Sequence, residues 1–155
     1  MESNMTDKSH TELRNTYIEL YPEEPTSTNT LNNIERILSI SLPSDFKAVA
    51  SFYSGGYLGG ISHFEISSES QADNITQKTM EWRNSINLPD KYIAIAEPAS
   101  SLIVLDTSYS EVLWISSVDS SRLFTKEPFS DSFDSFESYG SFFAFLIDRE
   151  TEENS

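Results

Sequence analysis

Residues 92–115 read YIAIAEPASSLIVLDTSYSEVLWI and contain three short apolar runs, Tyr92–Ala96, Leu102–Leu105 and Val112–Ile115. Short runs rich in Ile, Val and aromatic side chains are typical of buried β-strands. The joins, residues 97–101 and 106–110, are turn-like and too short for the helix that a parallel crossover requires. This stretch therefore predicts an antiparallel meander of three strands.

The residues before the meander carry helical patterns. A first helix over about residues 10–20 is indicated by apolar residues at helical spacing behind two possible caps, namely Leu13, Tyr17 and Leu20 after Ser9 and Thr11. A second helix is predicted from Leu31, Ile34 and Leu38, with Ile37 as a further candidate for its apolar stripe and Asn29 or Thr30 as its N-terminal cap.

Leu42-Pro43 is predicted to stop the second helix, and Ser44-Asp45 to cap a third. The apolar face of this third helix would consist of Phe46, Val49, Ala50 and Tyr53. Gly55-Gly56 would end it, because many helices close on a left-handed glycine. Residues 58–66 then alternate weakly and predict a strand or a hairpin.

The remaining segments complete one predicted domain over residues 9–148. Residues 70–84 suggest a helix with Ile75, Thr79 and Trp82 on one side, and residues 119–137 look like a long loop. Residues 138–148 predict a closing helix rich in aromatic side chains. We expect a flexible N-terminus at residues 1–8 and an acidic, disordered tail at 149–155.

Composition narrows the classes of function. Ten basic and 25 acidic residues give a formal net charge of −15, which argues against binding to nucleic acid or to an anionic membrane surface. It favours a basic protein partner, although solubility alone would also explain it. The chain has no cysteine, so disulfides and thiolate sites are excluded. No signal peptide or membrane span is expected.

The order of these elements resembles the SMI1/KNR4 family, also called the SUKH superfamily. The residues that carry the resemblance are Ile34-Glu35, Leu38, Leu42-Pro43-Ser44-Asp45-Phe46, Phe52, Gly55-Gly56, Trp114 and Ser141–Leu146. The resemblance implies a single α+β domain without catalytic residues or cofactors. It also implies protein binding, because many bacterial members are immunity proteins that block toxins, often nucleases, whereas fungal members act in cell-wall and signalling control.

The segment from Glu127 to Glu137 is the most unusual part of the sequence. It contains four acidic residues, three phenylalanines and no basic residue. One interpretation is a surface loop whose phenylalanines hold it against the core. The other is a partner-binding surface that covers the basic groove of a nuclease toxin. The residues predicted for this surface are Glu127, Phe129, Asp131, Phe133, Asp134 and Glu137.

A glycine-rich stretch, residues 55–60, is flanked by Tyr53 and Tyr57. It lacks the Gly-Lys-Ser/Thr ending of a phosphate loop, so a tight turn explains it better. If the two tyrosines are exposed, they become candidate partner contacts, because tyrosine is favoured at interface hot spots.

His63 and Glu65 would face the same side of a strand, as the two members of an acid–base or metal-binding pair do. No third ligand stands nearby in the sequence, so no metal is predicted, and an ordinary surface or half-buried pair is the simpler interpretation. A hydrolase acting through these two residues is the weakest of three hypotheses for function.

The first hypothesis is an immunity protein of the cytoplasm, a monomer or weak dimer, that binds and occludes a basic, nuclease-like toxin domain. The second is a scaffold or regulatory module of the same fold that modulates an enzyme rather than neutralising a toxin. Neither requires a cofactor, a membrane or nucleic acid.

Overall fold

A computed structural model describes residues 9–67 and 73–153. Within them the chain forms six α-helices and one antiparallel sheet of six strands in the order β1-β2-β3-β4-β5-β6. The helices are α1 (His10–Leu20), α2 (Thr28–Leu38), α3 (Ser44–Ala50), α4 (Ile75–Ile86), α5 (Arg122–Thr125) and α6 (Tyr139–Glu153). The strands are β1 (Gly56–Leu58), β2 (Ile61–His63), β3 (Tyr92–Ala96), β4 (Ser101–Asp106), β5 (Glu111–Ser116) and β6 (Asp134–Phe136).

The predicted α+β fold and its antiparallel meander are confirmed. Strands β3, β4 and β5 pair in sequence order, with Ile93 opposite Leu105 and Leu105 opposite Val112. Every residue of β3 is buried, as expected for a central strand covered on both sides. The strand or hairpin predicted over residues 58–66 is a hairpin of β1 and β2, which begins two residues earlier, at Gly56, and places Leu58 opposite Ile61.

Helix α1 has the predicted bounds. Ser9 accepts a hydrogen bond from the Glu12 N–H, and the Glu12 carboxylate accepts one from the Ser9 N–H, so the two form a capping box. The predicted caps of α2, Asn29 and Thr30, are wrong. The cap is Ser27, whose hydroxyl accepts a hydrogen bond from the Thr30 N–H, because α2 begins one turn earlier than its apolar stripe.

The predicted caps of α3 are also wrong. Pro43 occupies the cap position and makes no side-chain hydrogen bond. Asp45 instead accepts a hydrogen bond from the Gly140 N–H, 2.7 Å away in the first turn of α6, and lies 2.6 Å from His10 Nε2. One carboxylate therefore connects α3 to both α6 and the start of α1.

The two glycines that were expected to end α3 lie beyond the end of that helix. The helix ends at Ala50, and Gly55 and Gly56 have φ values of +100° and +106° at the entry to β1. A Cβ at position 55 would lie 2.5 Å from the Phe64 carbonyl oxygen. Gly55 is thus required because two backbone segments approach closely there.

The C-terminal half departs from the sequence prediction in two places. Residues 119–137 are not one loop, since they contain α5 and β6, and β6 pairs with β5 through Leu113 opposite Ser135. The closing helix α6 is confirmed, but its predicted end at Asp148 is wrong because the helix continues to Glu153. Glu150 is buried and accepts a hydrogen bond from the Gly59 N–H at 2.8 Å. Residues 1–8, 154 and 155 lie outside the described ranges.

Helix α6 packs against α1, α3 and the sheet. Two of its aromatic side chains, Phe142 and Phe145, lie on the sheet face that carries Trp114 and Phe136. The ring centroids of Phe136 and Phe142 are 5.2 Å apart, as are those of Phe136 and Phe145. This helix covers one face of the meander and places β6 beside it at the edge of the sheet.

Candidate functional site

We call residues 127–137 the acidic–aromatic segment. It follows α5 and contains β6, the strand at one edge of the sheet. Its carboxylates Glu127, Asp131, Asp134 and Glu137 are all exposed. Phe133 is 48% exposed and packs edge-on against the half-buried Phe129, with ring centroids 4.9 Å apart. The segment therefore presents acidic groups and one aromatic ring together.

Asp119 fixes the conformation of this segment. One carboxylate oxygen accepts hydrogen bonds from the Ser130 N–H at 2.8 Å and the Ser130 hydroxyl at 2.9 Å, and the other accepts one from the Asp131 N–H at 3.0 Å. These bonds, with Arg122 nearby, lower the pKa of Asp119. The carboxylate is therefore ionised at neutral pH and accepts all three bonds.

A second interaction, made by Arg122, fixes the start of the segment. The Arg122 guanidinium donates a hydrogen bond to the Pro128 carbonyl oxygen and lies 3.6 Å from Asp119. The segment is thus held at its start by Arg122, in its middle by Asp119 and at its end by pairing of β6 with β5. A surface held in this way loses little conformational entropy when a partner binds.

Two grooves flank β6. One, of about 470 Å³, is lined by Trp114, Phe133, Asp131 and Asp134 among others. The second, of about 290 Å³, lies between β6 and α6. Its lining includes Phe136, Phe145, Glu137 and Asp148. Both grooves combine an aromatic wall with carboxylates, which suits a long basic side chain with an apolar stem.

The carboxylates of Asp131 and Asp134 are not neutralised by the rest of the fold. Within residues 9–67 and 73–153, neither forms an ion pair. Both are exposed, so their charge is available to a partner.

Tyr53 was predicted as an exposed contact, and the structure corrects this. It is 1% exposed, donates a hydrogen bond to the Gly56 carbonyl oxygen at 2.9 Å, and packs on Tyr17 and Phe143. The signal was present in the sequence, because Tyr53 continues the helical spacing of the apolar residues Phe46 and Val49. Its neighbour Tyr57 is 68% exposed.

The structure does not bring Tyr57 together with the acidic–aromatic segment. Tyr57 lies in β1 and the segment ends in β6, and these strands form opposite edges of the sheet. The predicted contact residues therefore fall on two separate surfaces. The acidic–aromatic segment contains six of them, whereas Tyr57 stands alone beside Glu65 in a shallow groove.

His63 belongs to the core. It is 3% exposed, with Nδ1 2.7 Å from the Phe64 carbonyl oxygen and Nε2 2.7 Å from the Tyr139 hydroxyl. A carbonyl oxygen only accepts, so Nδ1 carries the proton and Nε2 accepts from Tyr139. Both nitrogens are engaged by the protein, which leaves neither free for acid–base work with Glu65.

Glu65 is half-buried beside other carboxylates. Burial raises its pKa, and the nearby charges of Glu24 and Asp73 raise it further.

Among the described residues, no three His, Asp or Glu side chains are arranged to hold a metal ion. In the same part of the chain, no helix is long and apolar enough to cross a bilayer.

Comparison with known proteins identifies the family. A family model described as SMI1-KNR4 cell-wall, SUKH_5, matches residues 7–149, which is nearly the whole chain. No curated protein matches the sequence. The sheet, the Leu42–Phe46 turn and the closing helix up to Arg149 lie inside the matched range. The chain therefore belongs to the SMI1-KNR4 family.

Proposed function

We propose that this protein is a cytoplasmic immunity protein that binds and neutralises a toxin domain through the acidic–aromatic segment. The SMI1-KNR4 family includes immunity proteins, which supports the class of function. The observation that carries the choice of surface is the pairing of exposed, uncompensated carboxylates at Asp131 and Asp134 with the exposed ring of Phe133. On this proposal the chain is a non-enzymatic binder.

The partner that fits this surface is basic. A nuclease toxin binds nucleic-acid phosphates with Arg and Lys, so its active-site cleft is positively charged. Asp131 and Asp134 would pair with those cations, while Phe133 fills a pocket beside them. The toxin would be inhibited because its substrate and the immunity protein compete for the same cleft.

The test uses the C-terminal domain of the toxin encoded in the reading frame beside this gene. Coexpression with the wild-type protein should restore growth, and calorimetry should give a one-to-one complex of nanomolar affinity. Asp131→Lys and Asp134→Lys should each weaken binding by roughly tenfold or more, since close interfacial charge pairs contribute strongly.

Glu19→Lys is the matched control. Glu19 is exposed on α1, so the substitution changes the net charge by the same amount at a different place. It should leave affinity within about threefold of wild type. Equal weakening by all three substitutions would show that only net charge matters. Absence of both binding and growth rescue would overturn the proposal and favour a scaffold or regulatory module.

A further inference from the structure

Strand β6 is the last strand of the sheet and pairs with β5 alone among the described strands. An unpaired strand edge presents backbone N–H and C=O groups that another strand can bind. Along an antiparallel strand, the backbone groups of successive residues point alternately to one side and to the other. This alternation identifies the residues of β6 whose N–H and C=O groups are unpaired.

The alternation can be followed from β3 to β6. The Thr107 N–H donates to the Lys91 carbonyl oxygen at 2.8 Å, so the preceding residue, Asp106, directs its backbone N–H and C=O towards β5. Asp106 lies opposite Glu111, so the backbone N–H and C=O of Glu111 point towards β4. By the same alternation, the backbone groups of Val112 and Trp114 point towards β6, where these residues lie opposite Phe136 and Asp134.

Phe136 and Asp134 thus use their backbone groups to bind β5. Ser135, between them, directs its N–H and C=O away from the sheet, and it is exposed. The backbone groups of Phe133 and Glu137, two residues before and two residues after Ser135, point in the same direction as those of Ser135. The outer edge of β6 consequently offers one complete donor and acceptor pair at Ser135.

The chemistry around this edge determines what can bind there. Neither groove beside β6 has a Lys or Arg in its lining, whereas Asp131, Asp134, Glu137 and Asp148 all contribute to one or the other. Phe136 and Phe145 form an apolar floor in the groove towards α6. A second copy of this chain would bring the same carboxylates to one seam, which is unfavourable.

We propose that the outer edge of β6 receives an extended, basic segment of the partner, which pairs with Ser135 as a seventh strand. Side chains alternate along a strand. One set of Lys or Arg residues would therefore lie over Phe136 and reach Glu137 and Asp148. The ring of Phe145 beside them is already contacted by the Arg149 guanidinium, 5.4 Å from its centroid. This inference rests on the proposed function, since the partner is the toxin domain, and it adds how that domain is recognised.

Ser135→Pro tests the edge directly. Proline removes the outward N–H, and the bonds between β5 and β6 remain because Ser135 contributes none of them. Toxin binding should weaken by at least tenfold. Ser135→Ala keeps the N–H and should bind as wild type does. Wild-type affinity in the proline variant would overturn the inference while leaving the proposed function intact.

Hydrogen exchange provides a measurement that needs no substitution. The Ser135 amide should exchange quickly in the free protein and at least tenfold more slowly in the complex with the toxin domain. An unchanged rate in a formed complex would contradict strand pairing, even if Ser135→Pro failed to fold.

A peptide titration separates failure of this inference from failure of the proposed function. If the wild-type protein binds no toxin domain, the proposed function fails. The amidated pentapeptide Lys-Val-Lys-Val-Lys should still shift the Ser135 amide resonance of the labelled protein, whereas Glu-Val-Glu-Val-Glu should not. An unmoved Ser135 resonance in the basic peptide would overturn the inference about the edge.

Discussion

His63 joins the hairpin to the closing helix through its bond with Tyr139, and its charge state is therefore important for stability. Burial lowers the pKa of His63 from 6.5 to about 4, although the Phe64 carbonyl oxygen acts in the opposite direction. The folded protein holds the ring neutral at physiological pH, and the Tyr139 hydroxyl can then donate to Nε2.

This predicts a specific loss of stability in acid. Between about pH 6.5 and about pH 4 the unfolded chain takes up a proton at His63 and the folded chain does not, so the free energy of unfolding falls as pH falls. The full difference corresponds to about 3 kcal/mol. Below about pH 4 both states are protonated and this contribution levels off.

His63→Gln isolates that contribution, because glutamine can donate and accept hydrogen bonds but does not titrate. Urea unfolding of both proteins between about pH 7 and pH 4.5 should show a steeper decline for wild type. Carboxylates with lowered pKa, such as Glu35 and Asp119, affect both proteins alike. Parallel curves would contradict a buried, neutral His63.

At the scale of elements, the β1–β2 hairpin is held against α6 by a close backbone approach. Gly59 has φ of +60°, and a Cβ there would lie 2.5 Å from the Leu146 carbonyl oxygen. Its N–H donates to the buried Glu150 carboxylate. Gly60 has φ of +83°, but the nearest atoms to a Cβ there would belong to the side chains of Arg149, at 3.2 Å, and Glu153, at 4.0 Å.

Gly59→Ala and Gly60→Ala therefore form a matched pair. Both place alanine in the left-handed region, which costs about 1–2 kcal/mol. Only Gly59→Ala also forces the hairpin away from α6, so its total cost should reach about 3 kcal/mol or more. Denaturant unfolding of the two variants measures the difference. Equal losses would mean that α6 moves aside without cost.

The sequence predicted elements where periodicity is local. Leu13, Tyr17 and Leu20 predicted α1, and the apolar runs from Tyr92 to Ile115 predicted the meander. It could not predict β6, because Asp134–Phe136 has no apolar alternation and becomes a strand only by pairing with β5.

Side-chain contacts between distant segments were equally hidden. Asp45 looks like a cap for its own helix but bonds to Gly140, and Asp119 gives no local sign that it holds Ser130. For the candidate site, the sequence predicted the acidic and aromatic composition of the segment. It did not predict Asp119 and Arg122, which hold that segment in place, nor the burial of Tyr53.

At the scale of the whole molecule, the distribution of charge strengthens the acidic surface. The net charge is −15, and six Lys and Arg side chains are already engaged in ion pairs within the fold. They are Arg14, Lys47, Lys78, Arg83, Lys91 and Arg122. The field that a partner meets is therefore strongly negative, which accelerates encounter with a basic protein.

Association with the toxin domain should depend steeply on salt. Raising the ionic strength from about 0.01 M to about 1 M shortens the Debye length from about 30 Å to about 3 Å. The association rate should fall by about tenfold or more, while the dissociation rate changes much less. Stopped-flow mixing at several salt concentrations measures both rates. A constant association rate would contradict electrostatic steering.

The position of α6 also sets an order of assembly. This helix packs against α1 and α3, close to the start of the described chain, and against the sheet. During synthesis, α1 and α3 emerge from the ribosome long before residues 139–153 have been made. The rings of Tyr17, Phe46 and Phe52, which contact Phe143 or Tyr139 in the finished core, consequently lack those partners until the ribosome has made α6. Proteins that engage nascent chains have that interval in which to protect them.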